Sequence, residues 1–242
     1  MEEIVVEFTA YLASEKMKSN NTIESYKSDI LNYLYFLENV KYIKDLKTVK
    51  TETILEYLSY LKKLGYSARS ESRALSALKS FYKFLCLENY IESNPVITIS
   101  APKLDKKLPV VLSVDEVMSL LNILNDDTPY NARNHAMIEV MYGTGLRVSE
   151  LVNLKLSELH LTDKMISTIG KGSKERLVPI NDYASIVLRN YIINYRPQLL
   201  KKGKDPSYVF LNNLGEPLSR QSFFLILKRL AKEAEIEKEI SP

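Results

Sequence analysis

From Ser93 to Pro109 the chain loses helical periodicity and carries Pro95, Pro102 and Pro109. A residue before proline is pushed out of the α region, so such a stretch runs extended. It divides the chain into two folding units instead of one continuous helical array. We read residues 1–94 as one domain, 95–110 as a linker and 111–242 as a second domain. A length of 242 residues leaves enough chain for a core in each. The linker also holds Lys103, Lys106 and Lys107, which suits either a solvated spacer or a strap along DNA.

The first domain reads as all helix. Val5, Phe8 and Leu12 share a face between Ile4 and Lys16. A second helix opens at Thr22 and Ser25, runs through Ile30, Leu31, Leu34 and Leu37, and ends near Asn39. A third covers about Thr51 to Leu64, with Gly65 as its stop. In the fourth, about Ala68 to Glu92, helical spacing gathers Ala74, Leu75, Leu78, Phe81, Tyr82 and Leu85 on one side. Arg69, Arg73, Lys79 and Lys83 gather on the other. From Lys62 to Lys83 six basic residues stand against one acid, Glu71. Any amphipathic helix has a charged back, but a merely solvated one mixes signs. A face of one sign, on a chain of net charge only +3, fits a local phosphate-binding surface.

In the second domain, Ser113 and Glu116 form a capping box opening a helix through Leu124. Asn131 to Tyr142 is another helix, with Ala136, Val140, Met137 and Met141 inward; Gly143 and Gly145 break it. Met165–Ile169 and Arg176–Ile180 read as strands joined by a glycine turn. Asp182 to Leu200 is helical, Tyr208 to Leu211 a short strand, and Ser219 to Glu235 a last helix with Phe223, Ile226, Leu227 and Leu230 inward.

Composition excludes several classes. Hydrophobic residues at 45% and charged residues at 26% describe a globular protein. No apolar run reaches the length of a membrane span, and MEEIVVEF is no signal peptide. A lone Cys86 in an apolar helical pattern reads as a buried small hydrophobe, and with two histidines a zinc site is not expected. An intracellular, cytoplasmic protein is expected.

The second domain also carries the chemistry. Gly143-Thr-Gly145 fails as a dinucleotide fingerprint: its third position is Val148, and a helix rather than a strand precedes it. Gly170-Lys-Gly172-Ser lacks the upstream glycine of a P-loop. What remains is Arg147, just after the glycine break, in the first turn of a helix carrying Leu151 and Leu154. A cation beside helix N–H groups favours an anionic oxygen, and a guanidinium can hold two phosphate oxygens at once. Glu150, one turn on, is placed to orient it. Taken singly, these are equally a surface arginine in an i, i+3 ion pair, and Lys171 an ordinary turn lysine.

Together, GTGLRVSELVNL and IGKGSKERLVPI at this distance resemble the tyrosine recombinases, and within them the Xer proteins. YSARSESRALSALKSFYKFL resembles the DNA-facing helix of their core-binding domain, and SRQSFFLILKRLAKEAEI the catalytic-domain helix that lies on DNA. The resemblance implies a mainly α fold: a helical, SAM-like core-binding domain, then a mostly helical catalytic domain with a small β-hairpin.

It also implies roles. Arg147 matches the arginine that binds the scissile phosphate and stabilises its transition state. Lys171 matches the hairpin lysine that protonates the leaving 5′ oxygen, and Glu150 the acid supporting the arginine. In the family a tyrosine attacks the phosphate, leaving a 3′-phosphotyrosyl link, so neither ATP nor metal is needed. Family members cut and rejoin short, nearly palindromic dif-like DNA sites as homo- or hetero-tetramers, in roles such as chromosome dimer resolution, some with an accessory DNA translocase. Arg69, Arg73 and Lys79 are the expected DNA contacts of the first domain. Arg220, Gln221, Lys228, Lys174 and Arg176 are those of the second, the two domains closing as a C-shaped clamp.

One departure stands out. The family's His-x-x-Arg helix, a further His or Trp, and the nucleophilic tyrosine follow the point where this chain stops; His135 and His160 match neither histidine. Ser241-Pro242 reads as a helix start. The expectation is therefore a recombinase truncated before its second catalytic box and inactive alone. The alternatives are a non-catalytic DNA-binding protein occupying recombination sites and a simple mobile-element integrase.

Overall fold

The computed structural model describes residues 2–101, 110–124, 128–170, 175–200, 206–238 and 240. It divides into two compact units, Met1–Lys107 and Leu108–Pro242. Among the described residues no helix is long and apolar enough to cross a membrane.

The first unit is built from α1 (Glu2–Ser14), α2 (Asn20–Asn39), α3 (Thr51–Lys63) and α4 (Ala68–Leu87). Helix α2 starts earlier than the periodicity predicts, because the hydroxyl of Ser19 accepts the Thr22 N–H and caps it. Ser67 does the same for α4. Gly65, at φ +81°, ends the α3 turn in the left-handed conformation that glycine adopts freely.

The predicted apolar face of α4 is the heart of this unit. Leu75, Leu78, Phe81, Tyr82 and Leu85 are all buried. Phe81 packs edge-on against Phe8 of α1 at 5.2 Å, and Tyr33 of α2 packs edge-on against Tyr57 of α3 at 5.0 Å. A buried phenol needs a partner; Tyr33 and Tyr82 supply each other's, 2.6 Å apart. Cys86 is only partly buried at the edge of this core.

Two expectations are corrected here. Helix α4 ends at Leu87 rather than Glu92, where Asn89 turns left-handed at φ 59° and Tyr90 N–H returns to the Leu85 carbonyl. Nor does an extended linker begin at Pro95. Ile91, Val96 and Ile99 are buried in the first core, and the Pro95 carbonyl accepts the Thr51 hydroxyl at 2.9 Å. The apolar positions between the prolines outweigh their extending effect. Lys103, Lys106 and Lys107 lie outside the described residues.

The second unit contains α5 (Val114–Asn122), α6 (Pro129–Thr144), α7 (Val148–Val152), α8 (Asp182–Asn190), α9 (Arg196–Leu199) and α10 (Arg220–Glu233). Both legs of the Ser113–Glu116 capping box are made. Strands β1 (Leu159–His160), β2 (Met165–Ile169) and β3 (Glu175–Pro179) form an antiparallel sheet in the order β1-β2-β3. The predicted hairpin is thus present, one residue early at its second strand. His160 pairs with Met165 in a strand too short to carry a detectable period.

Three further readings are corrected. Gly143 lies inside α6, and only Gly145, left-handed at φ 64°, ends it. The predicted helix Asp182–Leu200 is interrupted by a π-helical turn, Tyr191–Tyr195, where Arg196 N–H bonds the Tyr191 carbonyl. Pro197, which has no N–H and clashes with the preceding turn, stands just beyond it. Tyr208–Leu211 makes isolated bridges, Lys155 to Tyr208 and Leu211 to Pro217, instead of a strand, with Val209, Phe210 and Leu211 fully buried.

Candidate functional site

The end of α6 aims Arg147. Gly145 donates its N–H to the Met141 carbonyl at 2.9 Å and turns the chain over. Leu146 and Val148 on either side are buried, so the extended Arg147 between them (φ −67°, ψ 149°) is turned outward. Its side chain is 62% exposed.

Glu150 holds the arginine in place. Its carboxylate is 7% exposed and accepts three hydrogen bonds. Oε2 takes the Arg147 backbone N–H at 2.8 Å and Arg176 Nη2 at 2.9 Å, while Oε1 takes Arg147 Nη1 at 2.9 Å. Burial alone would raise this carboxyl's pKa. The Arg147 N–H, its guanidinium and Arg176 together outweigh burial, and the group titrates below its ordinary range. The expected helix-end field is corrected: α7 has only five residues, and the Arg147 N–H is consumed by Glu150.

Arg147 and Arg220, the first residue of α10, line one open cleft with Met141, Gly145, Leu146, Val148 and Ser149. Ser219 caps α10 by accepting the Ser222 N–H, which fixes where Arg220 emerges. No tyrosine is among the described residues lining this cleft. Two guanidinium groups facing one cleft suit a polyanion with closely spaced phosphates. Lys171 and Lys174 lie outside the described residues.

The other sequence-predicted contacts divide into open and occupied. Arg69, Lys79 and Gln221 are exposed. Lys228 stands 5.1 Å over the Phe224 ring, a cation–π contact on its own helix. Two arginines are already engaged. Arg176 is on Glu150, and Arg73 is bidentate on Asp29.

Asp29 was not singled out from the sequence, although a signal was there. It shares a helical face with Tyr26 and Tyr33, so a carboxylate had to be compensated inside the fold. Arg133, also missed, is 5% exposed in α6. It donates to the Leu211 carbonyl at 2.7 Å and to Asn134 Oδ1, and desolvation pulls its pKa down.

The two-unit architecture, the glycine-ended helix and the supported arginine define a class already known from other chains. Residues 110–242 match the phage integrase family and residues 5–89 the phage integrase N-terminal SAM-like domain. The chain belongs to the phage integrase family, the tyrosine recombinases. It is 41% identical over 236 residues to Tyrosine recombinase XerD of Halalkalibacterium halodurans, which spans 98% of this chain and 79% of the relative. It is also 41% identical over 242 residues to Tyrosine recombinase XerD of Oceanobacillus iheyensis, covering 100% of this chain and 81% of that one. The fold matches a lambda integrase (75–356) dimer bound to a COC′ core site, with a TM-score of 0.73, 20% identity, and coverage of 100% of this chain and 84% of that one. It also matches XerH recombinase bound to a palindromic difH substrate, with a TM-score of 0.71, 23% identity, and coverage of 90% and 64%.

Proposed function

We propose that the chain acts in site-specific DNA recombination of the Xer type, with Arg147 gripping the phosphate at which strands are exchanged. The observation that carries this reading is the exposed Arg147 side chain, held by Glu150, whose side chain is only 7% exposed, and lining one cleft with Arg220. An arginine fixed before its anion arrives spends little entropy on binding it, and its charge meets the negative charge that develops in the transition state. Lys171, between β2 and β3 in sequence, is the proposed general acid. The chemistry is covalent transfer to a tyrosine and back, which conserves the bond and draws on no cofactor.

The substrate on this reading is double-stranded DNA at a short, nearly palindromic site, bound by a tetramer of this or a related recombinase. The relatives named XerD and the neighbours solved on DNA support this. Chromosome dimer resolution in the cytoplasm, with an accessory translocase, is the cellular role we assign. Arg69, Lys79, Arg220, Gln221 and Lys228 are the proposed backbone contacts, which set register rather than read bases. Among the described residues no tyrosine lines the Arg147 cleft, and on this reading the polypeptide alone binds DNA without forming a covalent link.

The test is a trapping gel. A nicked duplex carrying a Xer-type site is incubated with the chain, and the products are resolved under native and denaturing conditions. A native complex that salt weakens, with no adduct surviving detergent, is the expected result. A covalent adduct would show that one of the tyrosines present attacks DNA, and absence of any complex would remove the DNA reading.

A further inference from the structure

Arg176 lies in β3 opposite Thr168 of β2, and its Nη2 reaches Glu150 Oε2 at 2.9 Å, 26 residues away in sequence. The same oxygen accepts the Arg147 backbone N–H, and the other carboxylate oxygen holds Arg147 Nη1. Glu150 therefore joins two arginines on separate elements: one at the end of the α6 turn, one on the sheet. We infer that Arg176 is a positioning residue, tying the β2–β3 hairpin to the Arg147 turn through Glu150, and is not a contact to DNA. This rests on the reading of Arg147 as the phosphate-gripping residue.

Three physical features support it. First, the Glu150 side chain is 7% exposed, so a carboxylate held there needs its charge compensated. Arg147, 62% exposed and proposed to grip a phosphate, shares its positive charge between two anions when DNA is bound. A second cation, the 44% exposed Arg176, keeps Glu150 neutralised during that sharing. Second, the pairing register of β2 with β3 places Arg176 and Val178 on one strand face, and Val178 packs against the core. Any slip of the hairpin would therefore withdraw Arg176 from Glu150. Third, β2 and β3 flank the segment that contains Lys171 in sequence, so the same tie sets those two strands and the arginine relative to one another.

The test compares Arg176→Met and Arg176→Lys with wild type in the full chain. Two quantities are read: the salt dependence of binding to a Xer-type duplex, and rotation of the Arg147 guanidinium, seen as separate or merged Nη signals in 15N spectra. Arg176→Met should leave the salt slope at its wild-type value, whereas Arg220→Ala lowers it by about one unit. Arg176→Met should also speed Arg147 guanidinium rotation several-fold, and Arg176→Lys, which keeps a charge and a donor, should restore most of the restriction. Should Arg176→Met prove unfolded, the lysine variant alone decides, by keeping or losing the restriction. A slope lowered as much as in Arg220→Ala, or unchanged Arg147 rotation in Arg176→Met, overturns the inference. If wild type shows no salt-dependent binding, the DNA reading fails by itself, and the rotation measurement still judges the tie.

Discussion

The guanidinium of Arg73 is bidentate on the carboxylate of Asp29, 44 residues away: Nε donates to Oδ2 at 2.9 Å and Nη2 to Oδ1 at 3.0 Å. The charged back of α4 is therefore not uniformly available to DNA. One of its arginines links α4 to α2 across the core edge. Asp29 is 5% exposed, while Arg73 is 47% exposed. Removing the arginine strands a buried carboxylate; removing the carboxylate leaves an arginine that can still reach water.

The asymmetry predicts that Arg73→Met is more destabilising than Asp29→Asn. Breaking a fully buried pair costs about 3–5 kcal/mol, and half-exposure of the arginine reduces that to about 1–3 kcal/mol here. Denaturant unfolding of both single variants and the double variant measures it. The double variant should regain much of the loss, because no unpaired charge remains. An Arg73→Met variant as stable as wild type would show that the pair contributes nothing to folding.

Gly143 faces the cap of α8. A Cβ built on it would stand 2.7 Å from Asn181 Nδ2, and Asn181 Oδ1 accepts the Ala184 N–H that starts α8. Gly143→Ala therefore forces Asn181 to move. A lost N-cap costs about 0.5–2 kcal/mol, and we expect a loss of that size despite alanine's better helix propensity. If Gly143→Ala is as destabilising in an Asn181→Ala background as in wild type, the cap is not the reason for the glycine.

Glu150 gives the fold an acid limit. Its pKa is lowered in the folded chain, so the carboxylate contributes stability that is complete above the ordinary carboxyl pKa of about 4.3. That contribution is lost as pH falls through the lowered folded value. Melting temperatures of wild type and Glu150→Gln should differ by a constant amount from about pH 6 to 8 and converge in stronger acid. A gap that widens on acidification would contradict the assigned direction.

Glu139 works in the opposite sense. It is 6% exposed in α6, and desolvation raises its pKa, with His135, 3.7 Å away, opposing the rise. A carboxyl with a raised folded pKa costs stability at pH above that value, and the cost disappears as the group protonates. Glu139→Gln should therefore raise the melting temperature near pH 8, and its advantage should shrink as pH falls. A stabilisation that grows toward acid pH would reverse this account.

What was legible in the sequence followed from local chemistry. The apolar face of α4, the Ser113–Glu116 box and the glycine break just before Arg147 all arise within a few residues of one another. What was missed depends on distant partners. Nothing near Arg73 announces Asp29, and nothing near Arg176 announces Glu150, so both arginines read as open cations. Val96 and Ile99 sit among prolines that argue for an extended chain, yet a tertiary core takes them in. Gly143 and Gly145 look alike in sequence. Only the second needs a positive φ, while the first makes room for Asn181.

The proposed grip of Arg147 on a single phosphate can be separated from binding in general. Replacing one DNA phosphate with a neutral methylphosphonate removes one charge-assisted contact, worth about 1.5–3 kcal/mol, and so weakens binding roughly tenfold or more. Scanned along a Xer-type site, wild type should show one position where this loss depends on Arg147. There Arg147→Ala should bind the methylphosphonate duplex as well as the natural one, while keeping most of the affinity that the proposed contacts of α4 and α10 supply. In a recombinase carrying its tyrosine, the same substitution should abolish cleavage. If Arg147→Ala responds to methylphosphonate as wild type does at every position, another residue holds the phosphate, and the outward aim of the α6 turn serves a different purpose.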